Sequence, residues 1–360
     1  MKKRPTLLLV ISFALLYCSN AAALEQDNQA QTKLDQTYVF FPFMHAEIRP
    51  DAHHDPDLEE FEVEYGSDFF YLLNYKKVRA LGEVVVSNEE LELERLQFGY
   101  DITPDSTLWL GRYHAPLGFW NSNYHHGLHL QTSVHRPGII EFEENGGVLA
   151  NHLTGALLEG LHYTQNGVVN YSVAVGFSPV LEHTLEPYTP GESDNKLQSI
   201  IKVGYQPDET SPSETGFVLS KSTIKAEHSL QLNQVHQQFL GIYTHQSWEK
   251  YRITASAYLV DNTIEYHSTK DTDSSFAAGY LHAEYDIASK WIIYSRLERA
   301  IGGKHDPYLE LFDHSETQRN LGGVRYDITR RQAIRSEISK RIDDHDSHTH
   351  ISIQWSAVFP

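Results

Sequence analysis

The sequence predicts an all-β chain, a transmembrane antiparallel β-barrel of about sixteen strands. Three observations carry that expectation. Segment after segment alternates apolar with polar or small residues at period two, with no sustained helical repeat. The connections alternate short and long, as tight turns on one rim and loops on the other require. The final segment ends in an aromatic residue, Phe359, beside the C-terminus. Mean hydropathy is −0.44, which would describe a soluble protein if membranes were crossed only by helices. A barrel needs only every second residue to be apolar, so the value does not weigh against one. A secreted sandwich alternates too. Strand length, and tyrosine and tryptophan near strand ends, favour the barrel.

The N-terminus reads as a secretory signal peptide over residues 1–23. Lys2, Lys3 and Arg4 precede an apolar run from Leu7 to Tyr17, and Ala21-Ala22-Ala23 offers the cleavage site. The run is too short to span a bilayer. Tyr17 is too bulky for lipoprotein cleavage at Cys18, the single cysteine, so the mature chain is expected to lack cysteine, excluding disulfides and thiolate metal sites. Losing Lys2, Lys3 and Arg4 moves the formal charge from −19 to −22. So acidic a chain excludes nucleic acid as a partner and an anionic membrane surface as an anchor. A polar periplasmic leader is expected over 24–36 and a single barrel domain over 37–360, without a plug or internal repeat.

The strands follow from the alternation. Val169, Tyr171, Val173, Val175 and Phe177 oppose Asn170, Ser172, Ala174 and Gly176. Tyr251, Ile253 and Leu259 oppose Arg252, Thr254 and Ser256, and Trp291, Ile293 and Leu297 oppose Tyr294, Arg296 and Glu298. Strands are placed near 37–48, 66–76, 77–87, 91–102, 105–115, 152–164, 167–178, 195–206, 212–224, 235–247, 248–261, 273–287, 288–301, 315–328, 330–342 and 347–359. Turn chemistry punctuates them at Lys76-Lys77, Pro104-Asp105, Asn166-Gly167, Ser289-Lys290 and Thr329-Arg330. An even count returns both ends of the chain to the periplasm.

One connection is too long for an idle turn. The strand through Leu110 breaks at Pro116 and Gly118, and alternation resumes only after Gly146-Gly147. Around and within it stand His114, His125, His126, His129 and His135, Arg112 and Arg136, and Glu141, Glu143 and Glu144, interleaved with Phe119, Trp120 and Tyr124. A polar loop of this richness on a rigid scaffold is where function is expected.

The run Leu110-Gly-Arg-Tyr-His-Ala-Pro-Leu-Gly118, with Phe119-Trp-Asn-Ser-Asn-Tyr-His-His-Gly127, His135-Arg-Pro137 and Glu141-Phe-Glu-Glu-Asn-Gly-Gly147, resembles an uncharacterised branch of phosphate-selective-porin-like outer-membrane barrels. Ile351–Phe359 resembles the signal read by the barrel-assembly machinery, although Pro360 follows it. The resemblance implies a Gram-negative outer membrane, lipids as neighbours and a channel for passive diffusion of small hydrophilic solutes or ions, with a homotrimer possible as the assembly. It also implies that the long segment, third of the external loops, folds inward to narrow the lumen. The alternative is a metal-binding, receptor or structural barrel without open conductance.

The expected constriction residues are Arg112, His114, His126, Arg136, Glu141, Glu143 and Glu144. Strand parity puts Lys202, Arg252, Glu284, Arg296, Glu298, Arg325 and Arg335 on the lumen wall, with Asp286, Asp327 and Glu337 among them. The wall mixes both signs, so it is no unbroken basic ladder for phosphate, and hydration of the lumen is as good a reading of these charges as selection. Metal candidates are His125, His126 and His129; His345, His348 and His350 form a second cluster with Asp343, Asp344 and Asp346. Neither has a zinc-motif arrangement, and loop packing accounts for them equally. No cofactor is expected. Nor is an enzyme: there is no nucleophile elbow or phosphate loop, Glu141 and Glu143 are plain acidic-loop residues, and Ser133-Val134-His135 is adjacent only in sequence.

Overall fold

A computed structural model of the chain describes residues 34–50, 61–89, 91–124, 128–143, 146–188, 196–227, 232–267, 270–312, 316–343 and 347–360. The signal peptide, the leader up to residue 33, and His125, His126, Glu144 and Asp344-His345-Asp346 lie outside the described residues.

Sixteen long strands close into one antiparallel barrel. They are β1 (Asp35–Ile48), β2 (Phe61–Tyr75), β3 (Val78–Ser87), β4 (Leu91–Thr103), β5 (Ser106–His114), β6 (His152–Thr164), β7 (Gly167–Phe177), β10 (Leu197–Gln206), β11 (Glu214–Ala226), β12 (Leu232–Ser247), β13 (Tyr251–Tyr266), β14 (Thr272–Ala288), β15 (Trp291–Ile301), β16 (Gln318–Thr329), β17 (Gln332–Ile342) and β18 (Ser347–Ala357). Two two-residue strands, β8 (Val180–Leu181) and β9 (Leu185–Glu186), sit in the connection after β7. Each long strand pairs with its sequence neighbour, β7 with β10 across that connection. β1 closes the ring against β18 from Phe43↔Ser356 to Ile48↔Ile351.

The expected strands differ from these mainly at their ends. β1 takes in Asp35 and Gln36, which pair with Asn74 and Leu73, so the leader yields its last two residues to the barrel. β2 begins at Phe61 rather than near 66, because in Glu62-Val63-Glu64-Tyr65 the acids alternate with apolar residues in the parity a wet inner face allows. The terminal strand stops at Ala357, and Phe359 instead makes an isolated bridge to Phe40, ring centroids 5.2 Å apart.

The two faces of the wall have opposite chemistry. Leu240, Ile242, Leu259, Leu281, Ile293, Leu297, Ile351 and Ile353 are exposed on the outside. The alternate residues face the interior and are buried, and many are polar: Lys202, His282, Glu284, Arg296, Glu298, Arg335, Glu337 and Gln354. A second, apolar inner set, including Ile200, Val218, Phe239, Tyr258, Val260, Ile264 and Phe276, packs with Leu117, Trp120, Ile140 and Leu149 of the 115–151 segment. These strands are therefore apolar on both faces where that segment covers them, exposed outside and buried inside.

Phe359→Ala removes the ring packed on Phe40 at the seam. By the burial and ring-pair terms it is expected to cost about 1–2 kcal/mol. Thermal unfolding monitored by loss of the compact form on unheated gels would show it as a lower midpoint; an unchanged midpoint would mean the seam is held by β1 and β18 alone.

Candidate functional site

The segment between β5 and β6, here L3, enters through a turn whose shape the sequence dictates. Gly118 has φ +129°, and a Cβ there would come 3.1 Å from the Tyr258 hydroxyl. That hydroxyl donates to the Leu117 carbonyl at 2.5 Å. A short helix, α1 (Phe119–Tyr124), follows, with Phe119 stacked 4.1 Å from the His245 ring and Trp120 edge-on to His282 at 5.3 Å. At the far end, a Cβ on Gly147 would sit 2.3 Å from the Glu141 carbonyl oxygen, so only glycine allows that return.

Between these ends the described residues of L3 have almost no regular structure, and side chains of the wall satisfy much of their backbone. Arg325 Nη1 donates to the carbonyls of His129 and Gln131, both at 2.8 Å. Arg335 Nη2 donates to the same two oxygens at 3.0 and 2.8 Å, while its Nη1 is held by Gln354 and Ser356. Arg296 reaches the His135 carbonyl at 2.9 Å and the Arg136 carbonyl at 2.8 Å. Arg319 adds a bond to the Arg136 carbonyl at 2.9 Å. Wall carboxylates take the complementary part. Glu337 accepts from the Val134 amide at 3.0 Å, Glu298 from the Gly138 amide at 2.6 Å, and Glu284 from the Thr132 hydroxyl at 2.9 Å.

Of the expected wall residues, Lys202, Glu284, Arg296, Glu298 and Arg335 are buried and Arg252 and Arg325 partly so, and their partners are specific. Lys202 lies 3.3 Å from Glu214, and Arg252 pairs with Glu284 at 2.6 Å and Asp286 at 2.7 Å. Arg296 pairs with Glu298, and Arg325 with Asp327. Of the loop residues, Glu141 lies 3.3 Å from Arg319 and borders a cavity of about 590 Å³, together with Arg136 and Glu298. Arg136 also bonds Asn121 and covers the Phe142 ring at 3.8 Å. Glu143 does not border the cavity; it is fully buried and accepts from the Asn151 and His152 amides at 2.5 and 2.8 Å. Arg112 is engaged with Glu92 at 2.7 Å, and His114 sits between Glu83 and Glu94.

His129 and His135 sit in contrasting fields. His129, beside Arg325 and Arg335, is pushed down to about 4 by burial and those two guanidiniums, so its ring is neutral near pH 7. His135 is pressed toward neutrality by burial and Arg341, yet hydrogen bonds to Glu337 at 2.6 Å and Glu47 at 3.0 Å raise it above the ordinary histidine range. Glu47 also accepts from His350 at 2.7 Å and Ser352 at 2.8 Å, and His45 stands edge-on to His135 at 5.6 Å. Sequence reasoning missed Glu47, His45 and Arg319. Parity would have found the first two beside Phe41 and Phe43, and Arg319 on the face of Arg325.

Arg335→Ala strips two L3 carbonyls of one donor each and is expected to destabilise the barrel by about 2–4 kcal/mol. Limited proteolysis should show new cleavage between 128 and 136; unchanged protection would mean that Arg325 alone suffices. The raised His135 sets a pH dependence. Its contribution is complete below the ordinary histidine range and is lost as pH rises through the raised value. L3 should therefore become more protease-sensitive on alkalinisation, with His135→Gln flattening the dependence; the same slope in both proteins would contradict the assignment.

No protein-family model and no curated protein matches the sequence. The fold is similar to that of solved outer-membrane barrels. The anion-selective porin from Comamonas acidovorans superposes with TM-score 0.61 at 11% identity, covering 91% of this chain and 100% of that one. OmpT of Vibrio cholerae in its trimer form gives TM-score 0.59 at 10% identity over 91% and 99% of the two chains. OmpF of Salmonella typhi, in complex with daunomycin, gives TM-score 0.57 at 8% identity over 92% and 99%. At such identities the likeness shows the fold alone: this sixteen-stranded chain shares its overall architecture with these proteins.

Proposed function

We propose that the chain is a porin-like channel of the outer membrane, through which small hydrophilic solutes or ions diffuse passively, and that L3 folds into the bore as its constriction. The observation that carries this reading is the set of bonds from inner-face Arg296, Arg325 and Arg335 to the L3 backbone. A sixteen-stranded barrel is wider than its own side chains can fill, so a tethered loop is what sets the free width. The exposed Leu and Ile of the outer face suit lipid, and the polar inner face suits water.

Within this reading, Arg136, Glu141 and Arg319 are the constriction residues that meet a passing solute, because they border the cavity. Arg112, His114 and Glu143 serve the wall and the loop's anchorage instead. Glu62, Glu64 and Glu316 face Arg49, Arg299 and Arg341 around the same cavity, so both signs line the entry and selectivity is modest. The trimer form of OmpT supports a trimer as the proposed assembly of this chain also, and β18 is its proposed address for the barrel-assembly machinery.

Single-channel recording in planar bilayers tests the proposal. Wild type should open in discrete steps. Replacing Arg296, Arg325 and Arg335 together by Gln should give larger, noisier conductance, and Glu141→Gln should shift the reversal potential toward anion preference. A folded barrel with no openings would favour a closed receptor or structural role, and unchanged conductance in the triple variant would remove L3 as the constriction.

A further inference from the structure

The two ends of L3 meet at a cluster that the channel reading leaves unused. His114 is the last residue of β5 and His152 the first of β6, and the two are register partners with ring centroids 5.3 Å apart. Glu94 of β4 reaches between them: its Oε2 is 2.7 Å from His152 Nε2 and 4.0 Å from His114 Nε2. Glu83 of β3 lies 3.7 Å from the same His114 nitrogen. Three ligand atoms, one each from Glu94, His114 and His152, lie within 4.8 Å of one another.

We propose that Glu94, His114 and His152, with Glu83 completing the set, bind one divalent transition-metal ion that ties the two ends of L3 together.

Three independent features support this. Tetrahedral zinc with bonds of about 2.0–2.2 Å needs ligand atoms roughly 3.4 Å apart, which the present separations of 2.7–4.0 Å bracket. His152 is oriented for it: its other nitrogen, Nδ1, is 3.0 Å from Glu143 Oε2, the carboxylate–histidine arrangement that fixes a metal-binding ring. Glu143 is itself held by two backbone amides, which explains why this glutamate is buried at the end of the loop instead of facing the bore. The third feature is charge. Asp68, Glu83, Glu94 and Glu143 are all at most 5% exposed, and the guanidinium among them is that of Arg95, paired with Glu83. Asp68 is buried against Glu83 and Glu94, so three carboxyl groups share this corner. A divalent ion would add positive charge to this acidic corner.

The proposal does not depend on conduction, since the ends of L3 meet here whether or not the bore is open. The alternative is a metal-free ion pair in which His152 simply bridges Glu94 and Glu143. Calorimetric titration of the folded, EDTA-stripped full-length barrel with Zn²⁺ separates them, with gel mobility before and after heating as the check of folding. One saturable equivalent per chain is expected. Glu143→Gln should weaken it ten- to a hundredfold, the usual effect of losing a supporting carboxylate. His114→Ala, or His114→Gln if the first does not fold, should abolish it. His125→Ala/His126→Ala and His45→Ala should leave it intact, and X-ray absorption should show two imidazole nitrogens at about 2.0–2.1 Å. No saturable binding to the folded wild type, undiminished affinity in the His114 variant, or loss confined to the His125/His126 variant would overturn the proposal.

Discussion

Backbone carbonyls enclosed by protein must find donors, and the described residues of L3 form no sheet or long helix to supply them. The inner wall supplies them as guanidiniums. Arg325 and Arg335 share the His129 and Gln131 oxygens, while Arg296 and Arg319 share that of Arg136. Each such charge-assisted bond is worth about 1.5–3 kcal/mol, and leaving a carbonyl without one costs a comparable amount. The path of the loop follows these donors. The arginines on the wall are therefore first of all structural.

The same constraint explains the acids. Buried arginine is tolerated only when its charge is met: Glu298 pairs with Arg296 and Asp327 with Arg325, while Glu298 and Glu337 also accept amide protons from L3. The result is a two-sided network in which donors and acceptors alternate along the loop. Trp120 lies 5.4 Å from the Arg296 guanidinium, joining the polar tethers to the apolar packing of α1. At the rim of the network Glu141 and Arg319 border open space.

Much of this was legible in the sequence, because a strand encodes its two faces at period two. The sixteen strands follow from parity, and so does the burial of Lys202, Glu284, Arg296, Glu298 and Arg335. Parity failed where it is interrupted. A register shift between Glu83 and Val84 places Glu94 out of sequence with its neighbours, hiding the acidic corner beside His114 and His152. The acidic start of β2 looked like loop for the same reason that it works as strand, since its inner face is wet. Partner choice was not legible at all. Whether Glu143 faces the bore or caps the return to β6 depends on how the chain turns at Gly147, which spacing does not report.

The central claim is that wall side chains hold the L3 backbone in place. Amide hydrogen exchange of the folded barrel tests it most directly, at the two L3 amides that donate to wall carboxylates, Val134 and Gly138. The account predicts that both exchange as slowly as amides of the neighbouring strands. Exchange at the rate of an unstructured, solvent-washed loop would contradict it.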